Sequence, residues 1–330
     1  MSRLPAWWKK AAAAGVIAAA AWFLFRTIRH NWAQVRAYPW HTDSLLLAAS
    51  VVALVAVLAW GVVVWSLVLR RFEHAPVHLG TLQRIWFLSN LARYIPGSVF
   101  QFVTAAQLSR QAGLSPAVLL TSLLVHTALS LLSAVVISAW TLTAGLFPAL
   151  PALWIGLAVT AAAVLMVHPL LLNTVLGLIP RLLKKQVIRW NGSWGYGVAL
   201  LGAAVLSWVM YGAAYALFVR ALTPIGAAAV PVLTGVNALS FVAGFLTPLP
   251  GGLGVREAAM TRLLLPVLPE GVAGVLSLAA RLWNVAGELI GGAMVLVLWR
   301  GTAANGAAAS STATADGTAD GTAELPDAVG

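Results

Sequence analysis

Cysteine is absent from all 330 residues, which excludes disulfides, thiolate metal sites and a cysteine nucleophile. Charge is nearly as scarce. Only 9% of residues are Asp, Glu, Lys or Arg, against the roughly 25% of a soluble domain. The sequence has no His-Glu-x-x-His pair, and His74 and His78 flank Pro76, a loop pattern with no metal-site spacing. No nucleophile elbow occurs either. Carboxylates number nine in total, and four of them (Asp316, Asp320, Glu324 and Asp327) fall in the last fifteen residues. The rest of the chain therefore has few groups able to act as an acid, a base or a metal ligand.

What is present is apolar. Hydrophobic residues make up 61% of the chain and the mean hydropathy is +0.90. Runs near twenty residues recur at about 11–25, 44–69, 116–146, 151–168, 196–219 and 273–299. A run of that length spans a hydrocarbon core of ~30 Å as a helix. The fold class expected is an all-α polytopic integral membrane protein. The net charge of +11 does not indicate nucleic acid, because the basic residues collect at the ends of apolar runs, as membrane topology requires. Several of the 15 tryptophans, among them Trp154, Trp190 and Trp194, also sit at run ends, where interfacial anchors belong. The domain division expected is 1–300 for the membrane unit and 301–330 for a disordered tail rich in Ala, Gly and Thr.

Two further apolar stretches are broken. One, at 88–106, is interrupted by Tyr94-Ile95-Pro96-Gly97-Ser98; the other, at 232–265, by Pro248-Leu249-Pro250-Gly251-Gly252-Leu253-Gly254. Proline removes a backbone donor and glycine releases helical dihedrals. Backbone of that kind survives at membrane depth only inside protein or beside a wet cavity. Both stretches are read as re-entrant hairpins, giving about six crossings plus two broken helices. The alternative is a pair of ordinary loops between short helices. Segment, hairpin and segment then recur with opposite orientation on either side of the fourth crossing, as an inverted repeat. Pro96 to Ser130 and Pro250 to Asn284 share one 34-residue spacing. Six crossings put both termini on one side, together with Arg70, Arg71, Arg110 and Arg189, the side expected to be cytoplasmic.

The candidate site follows from the breaks. A half-helix that begins in mid-membrane offers unpaired N–H groups and a positive dipole end to an anion. Ser98 is placed to cap one such helix, and Gly251, Gly252 and Gly254 would let backbone approach a ligand at the other. The turn follows no strand and lacks the Lys-Ser/Thr ending of a nucleotide-binding loop. Arg93 precedes Pro96, and Arg256 with Glu257 follows the glycine turn. Arg281, Asn284 and Glu288 share one face of the last span. Ionisable groups at that depth are costly and normally face an interior cavity. They also form purely structural ion pairs. Ser122, His126, Ser130 and Ser133 stripe the third segment and Ser207, Tyr211 and Tyr215 the fifth. Such stripes more often join neighbouring helices than line a path. Gly287 and Gly291 read as a packing face.

The segments around Arg93, Pro96 and Gly97, and around Pro250, Gly251, Gly252, Gly254 and Glu257, resemble the flippase-like transmembrane domain of lysylphosphatidylglycerol synthases, over roughly 5–300. The resemblance implies a bacterial inner-membrane protein that moves a phospholipid between leaflets, with no cofactor. The synthases add a large soluble aminoacyltransferase domain, for which the sequence after 300 has no counterpart, so the resemblance does not carry that activity. The membrane phospholipid is the expected ligand, and a separate lipid synthase or glycosyltransferase is a candidate partner. The rival readings are a membrane-embedded transferase acting on a lipid headgroup or lipid-linked sugar, and a non-catalytic partner of such a synthase.

Overall fold

The computed structural model describes residues 29–72, 77–92, 100–146, 151–182, 188–247 and 250–316, with Trp22, Phe25 and Arg26 before them. The first apolar run and the tip of the first hairpin, 93–99, lie outside the described residues, so Arg93, Pro96, Gly97 and Ser98 are not placed. Among the described residues the secondary structure is helical throughout. The helices are α1 (Trp32–Ala37), α2 (Ser44–Leu69), α3 (Leu79–Ala92), α4 (Phe100–Gln111), α5 (Pro116–Leu146), α6 (Ala152–Met166), α7 (Pro169–Leu182), α8 (Trp194–Leu222), α9 (Val230–Phe245), α10 (Val255–Leu264) and α11 (Glu270–Asp316).

Local chemistry sets the bounds. The Asp43 carboxylate accepts from the N–H groups of Leu45 and Leu46 and opens α2, whose apolar run stops at Arg70-Arg71. Gly113, at φ +71°, closes α4; the N–H of Leu114 then reaches back to the Ser109 carbonyl, and Pro116 starts α5. Ser193 caps α8 through the Tyr196 N–H, and Thr223 before Pro224 ends it.

Among the described residues, five helices are long and apolar enough to cross a membrane: Ser44–Leu69, Pro116–Leu142, Trp194–Leu222, Ala227–Phe245 and Glu270–Val297. Helices α6 and α7 add a sixth candidate, bent by 66°. The chain is a polytopic all-α membrane protein. The fourth segment is helix α6, which stops at Met166 as expected and is followed by the separate, bent helix α7. One expectation needs adjustment. The first arm of the second broken stretch begins earlier than its apolar pattern suggested, at Ala227, and its 19 residues reach about 28 Å. That arm is as long as a span, while its partner α10 has only ten residues, about 15 Å. Helix α11 runs to Asp316. Alanine is the best helix former and recurs throughout that helix.

The arms of the first hairpin are short. Helices α3 and α4 have 14 and 12 residues, about 21 and 18 Å, less than the bilayer core. They pack on each other, and Gln101 donates to the Asn90 side chain across the pair at 3.0 Å. Trp65, near the end of α2, donates to Ser122, near the start of α5, at 3.0 Å. The hairpin therefore enters and leaves on one face. On the opposite face, the Asp43 N–H reaches the Ala221 carbonyl at the end of α8, and α1 packs beside Gly271 at the start of α11.

Helices α2 and α8 form the axis of the molecule. Asp43 bonds to Ala221, Trp60 to Ala203 and Tyr196 to Leu67, so the two run antiparallel along their whole length. Around them the packing is exchanged: α3 lies on α11, and α9 lies on α5. Phe87 meets Gly291, while Phe241 and Ile137 share one cluster. These pairs are related by the 154-residue offset between Pro96 and Pro250. An inverted two-fold relation between 44–146 and 194–297 accounts for the whole arrangement.

Because the native chain has no cysteine, single-cysteine labelling tests the layout directly. Phe72→Cys and Gly113→Cys are expected to react with an impermeant maleimide from one face of the membrane, and Pro224→Cys and Pro269→Cys from the other. Labelling of positions 72 and 113 from opposite faces would make the first hairpin a full crossing and break the symmetry.

Candidate functional site

The second hairpin meets the last span near its mid-length. Helix α9 ends at Phe245, and the chain turns through Gly251, Gly252 and Gly254, at φ +61°, +64° and +82°, before α10 starts at Val255. All three glycines hold left-handed backbone that other residues enter at a cost of ~1–3 kcal/mol. The side chain of Pro250 lies outside the described residues.

Glu257 sits in the first turn of α10 and is 4% exposed. One carboxylate oxygen accepts from the Gly254 N–H at 2.6 Å, which satisfies a backbone donor that the turn would otherwise orphan. The other lies 3.4 Å from Nη1 of Arg281 on α11. The same Nη1 donates to the Gly251 carbonyl at 2.9 Å. Arg281, Glu257 and the turn thus form one closed set of charge-assisted bonds. Arg256, next to Glu257, also reaches α9, where its Nη2 donates to the Asn237 side chain at 3.4 Å. Asn284 accepts from the hydroxyl of Tyr211 on α8 and donates to the Ala280 carbonyl.

Arg256, Glu257, Met260, Ser277, Ala280, Arg281 and Asn284 line a narrow, open-sided cleft between α10 and α11 of about 10 Å³, room for about one water molecule before any side chain moves. Its walls carry two guanidinium groups and one carboxylate. Five sequence candidates are therefore brought together: Gly251, Arg256, Glu257, Arg281 and Asn284. Glu288, one turn beyond Asn284, is half-buried but does not line the cleft.

The glycines also serve packing within the chain. A Cβ on Gly252 would stand 2.6–2.8 Å from the Gly244 backbone, and one on Gly251 2.9 Å from the Arg281 guanidinium. The close approach they permit is to the protein's own α9 and Arg281. The polar stripes are likewise joints. Ser122 receives Trp65, the Ser130 carbonyl receives Trp208, and Tyr215 donates to the Met260 sulfur. Gly287 and Gly291 pack on Leu54 and Phe87, as a small-residue face should. Asn237 was missed by sequence reading. It falls in an apolar run, and only the fold shows that it meets Arg256.

Antiparallel repeats of apolar helices and a charged cleft between α10 and α11 define a polytopic helical membrane protein built from an inverted repeat. The family model for the lysylphosphatidylglycerol synthase transmembrane region matches residues 11–292. The chain belongs to that family. Comparison with curated proteins and with solved structures gives no match in either case.

Two stability predictions follow from this geometry. Gly252→Ala should destabilise the protein by about 2–5 kcal/mol through left-handed strain and overpacking against Gly244, read as a lowered melting temperature in detergent. Glu257→Gln should cost ~3–5 kcal/mol, because it leaves the Arg281 guanidinium uncompensated in a largely buried setting. Adding Arg281→Gln should recover part of that loss in a double-mutant cycle. Additive losses would show that the two side chains do not interact.

Proposed function

We propose that the chain moves a phospholipid, or a lipid with a phosphate-linked headgroup, between leaflets. The headgroup would enter the cleft between α10 and α11 while the acyl tails stay in lipid. The observation that carries this reading is the charge of the cleft. Two arginines face one carboxylate, which leaves an excess positive charge in a low-dielectric site suited to an anion. The start of α10 adds the positive end of a helix dipole. Membership of the lysylphosphatidylglycerol synthase transmembrane family supports a lipid headgroup as the ligand.

A transferase would need a carboxylate available for acid–base work. Glu257 is the cleft's sole carboxylate, and both its oxygens are engaged, by Gly254 and by Arg281. That favours translocation over transfer. The distribution of arginine supports a bacterial plasma-membrane orientation with both termini cytoplasmic. Arg70, Arg71, Arg110 and Arg189 collect at the face where α2 ends and α8 begins, whereas Arg36 and Arg220 lie at the other. A separate lipid synthase or glycosyltransferase would supply or consume the lipid.

The test is reconstitution into liposomes with a panel of fluorescent lipids that differ only in headgroup. Wild-type protein should move at least one phosphate-bearing lipid, and Arg256→Ala should slow that movement at least roughly tenfold, as expected for loss of a charge-assisted contact. Full transport by Arg256→Ala would remove this cleft as the headgroup site. A protein that moves no lipid, yet is needed by a co-expressed lipid synthase, would be its non-catalytic partner.

A further inference from the structure

We infer that Asn237 and Arg256 together bind one oxyanion oxygen of the ligand, with Asn237 serving as a specificity-determining donor. This rests on the proposed reading and narrows its headgroup site to two side chains. Asn237 is fully buried on α9. Its Oδ1 accepts from Arg256, but its Nδ2 has no hydrogen-bond partner. A buried amide donor left unpaired is costly, so such a group in a folded protein calls for a reason.

The geometry supplies one. Arg256 Nη2 lies 3.4 Å from Asn237 Oδ1. The two heavy atoms of an amide head are roughly 2.3 Å apart from covalent geometry. Nη2 and Nδ2 are therefore separated by at most about 5.7 Å, whatever the angle between them. That separation does not exceed twice the ordinary N–H···O distance of ~2.9 Å, so one oxygen can bridge both donors once the packing over Nδ2 opens. Arg256 lines the cleft and Asn237, behind it, does not, so an oxyanion on the guanidinium reaches the second donor only by a local shift of the Arg256 side chain.

The pair has no counterpart in the first repeat: offset by 154 residues, the first hairpin has Gln83 and Phe102 at these places, and Phe102 is exposed and apolar. Arg281, by contrast, already serves the Gly251 carbonyl and Glu257. It holds the turn, whereas Arg256 and Asn237 have bonding capacity left for a ligand.

The experiment measures thermal stabilisation of the purified full chain by dihexanoyl phosphatidic acid, by dihexanoylglycerol and by inorganic phosphate. Wild type should respond to the phosphatidic acid and not to the diacylglycerol. An equal response to inorganic phosphate would show that the site takes the bare oxyanion from water; its absence would tie the site to a lipid headgroup, and both support the donor pair. Asn237→Ala should raise the midpoint ligand concentration at least roughly tenfold. Asn237→Asp should place a carboxylate on Arg256, keep or raise the ligand-free melting temperature, and abolish the response. This second variant keeps the test decisive if the alanine variant folds poorly. A wild-type response retained in Asn237→Asp would overturn the assignment while leaving the headgroup cleft intact. No response by wild type to any phosphate compound would overturn the headgroup reading, and this inference with it.

Discussion

Arg281 is the residue on which the second half of the molecule closes. Its guanidinium comes from near the middle of the last span and reaches a backbone carbonyl in the glycine turn and a carboxylate in the first turn of α10. That carboxylate in turn holds the Gly254 N–H. In hydrocarbon, an unpaired carbonyl, amide or charge costs several kcal/mol, so each of these groups needs the others in place. Non-helical backbone at this depth is possible because the arginine and the glutamate satisfy it. The glycines are needed for the same reason: a side chain at 251 or 252 would displace either the guanidinium or α9.

The inverted repeat gives that closed set its location. Antiparallel packing of α2 on α8 makes each hairpin lie against the final span of the other repeat, α3 on α11 and α9 on α5. The scaffold is symmetric, but the chemistry is not. Glu257, Arg256 and Arg281 have Val103, Phe102 and Thr127 as their counterparts at the 154-residue offset. Helix α7 adds a basic-ended amphipathic surface with Leu170, Val175 and Leu178 exposed, consistent with a helix lying along the membrane interface.

Much of this was legible before any coordinates. The limits of α2 and α8 follow from long apolar runs that begin at Asp43 and Ser193 and stop at Arg70 and Thr223-Pro224. Both breaks were marked by Pro and Gly, residues whose backbone restrictions act locally. Arg256, Glu257, Arg281 and Asn284 stood out because charge is rare in such a chain. Other features were not legible. Asn237 looks like any polar residue in a span. Glu288 shares the helical face of Arg281 by spacing, yet the cleft ends a turn before it. The arm that contains α9 starts earlier than its apolar pattern suggested because a 3-10 turn at Ala227–Ala229 leads into the helix.

The sequence by itself determined the solvent of this protein, the limits of α2 and α8, the break at the glycine turn after α9, and the few residues able to carry charge there. Those are properties of neighbours along the chain: side-chain transfer energy, missing donors and permitted dihedrals. Only the tertiary structure decided which charges meet. Glu257 and Arg281 are 24 residues apart, and Asn237 and Arg256 are 19 apart. Whether such groups touch depends on how the antiparallel repeats stack their helices, and that depends on side-chain shapes across the interfaces, such as Leu54 on Gly287 and Phe87 on Gly291, which no periodicity along one helix records.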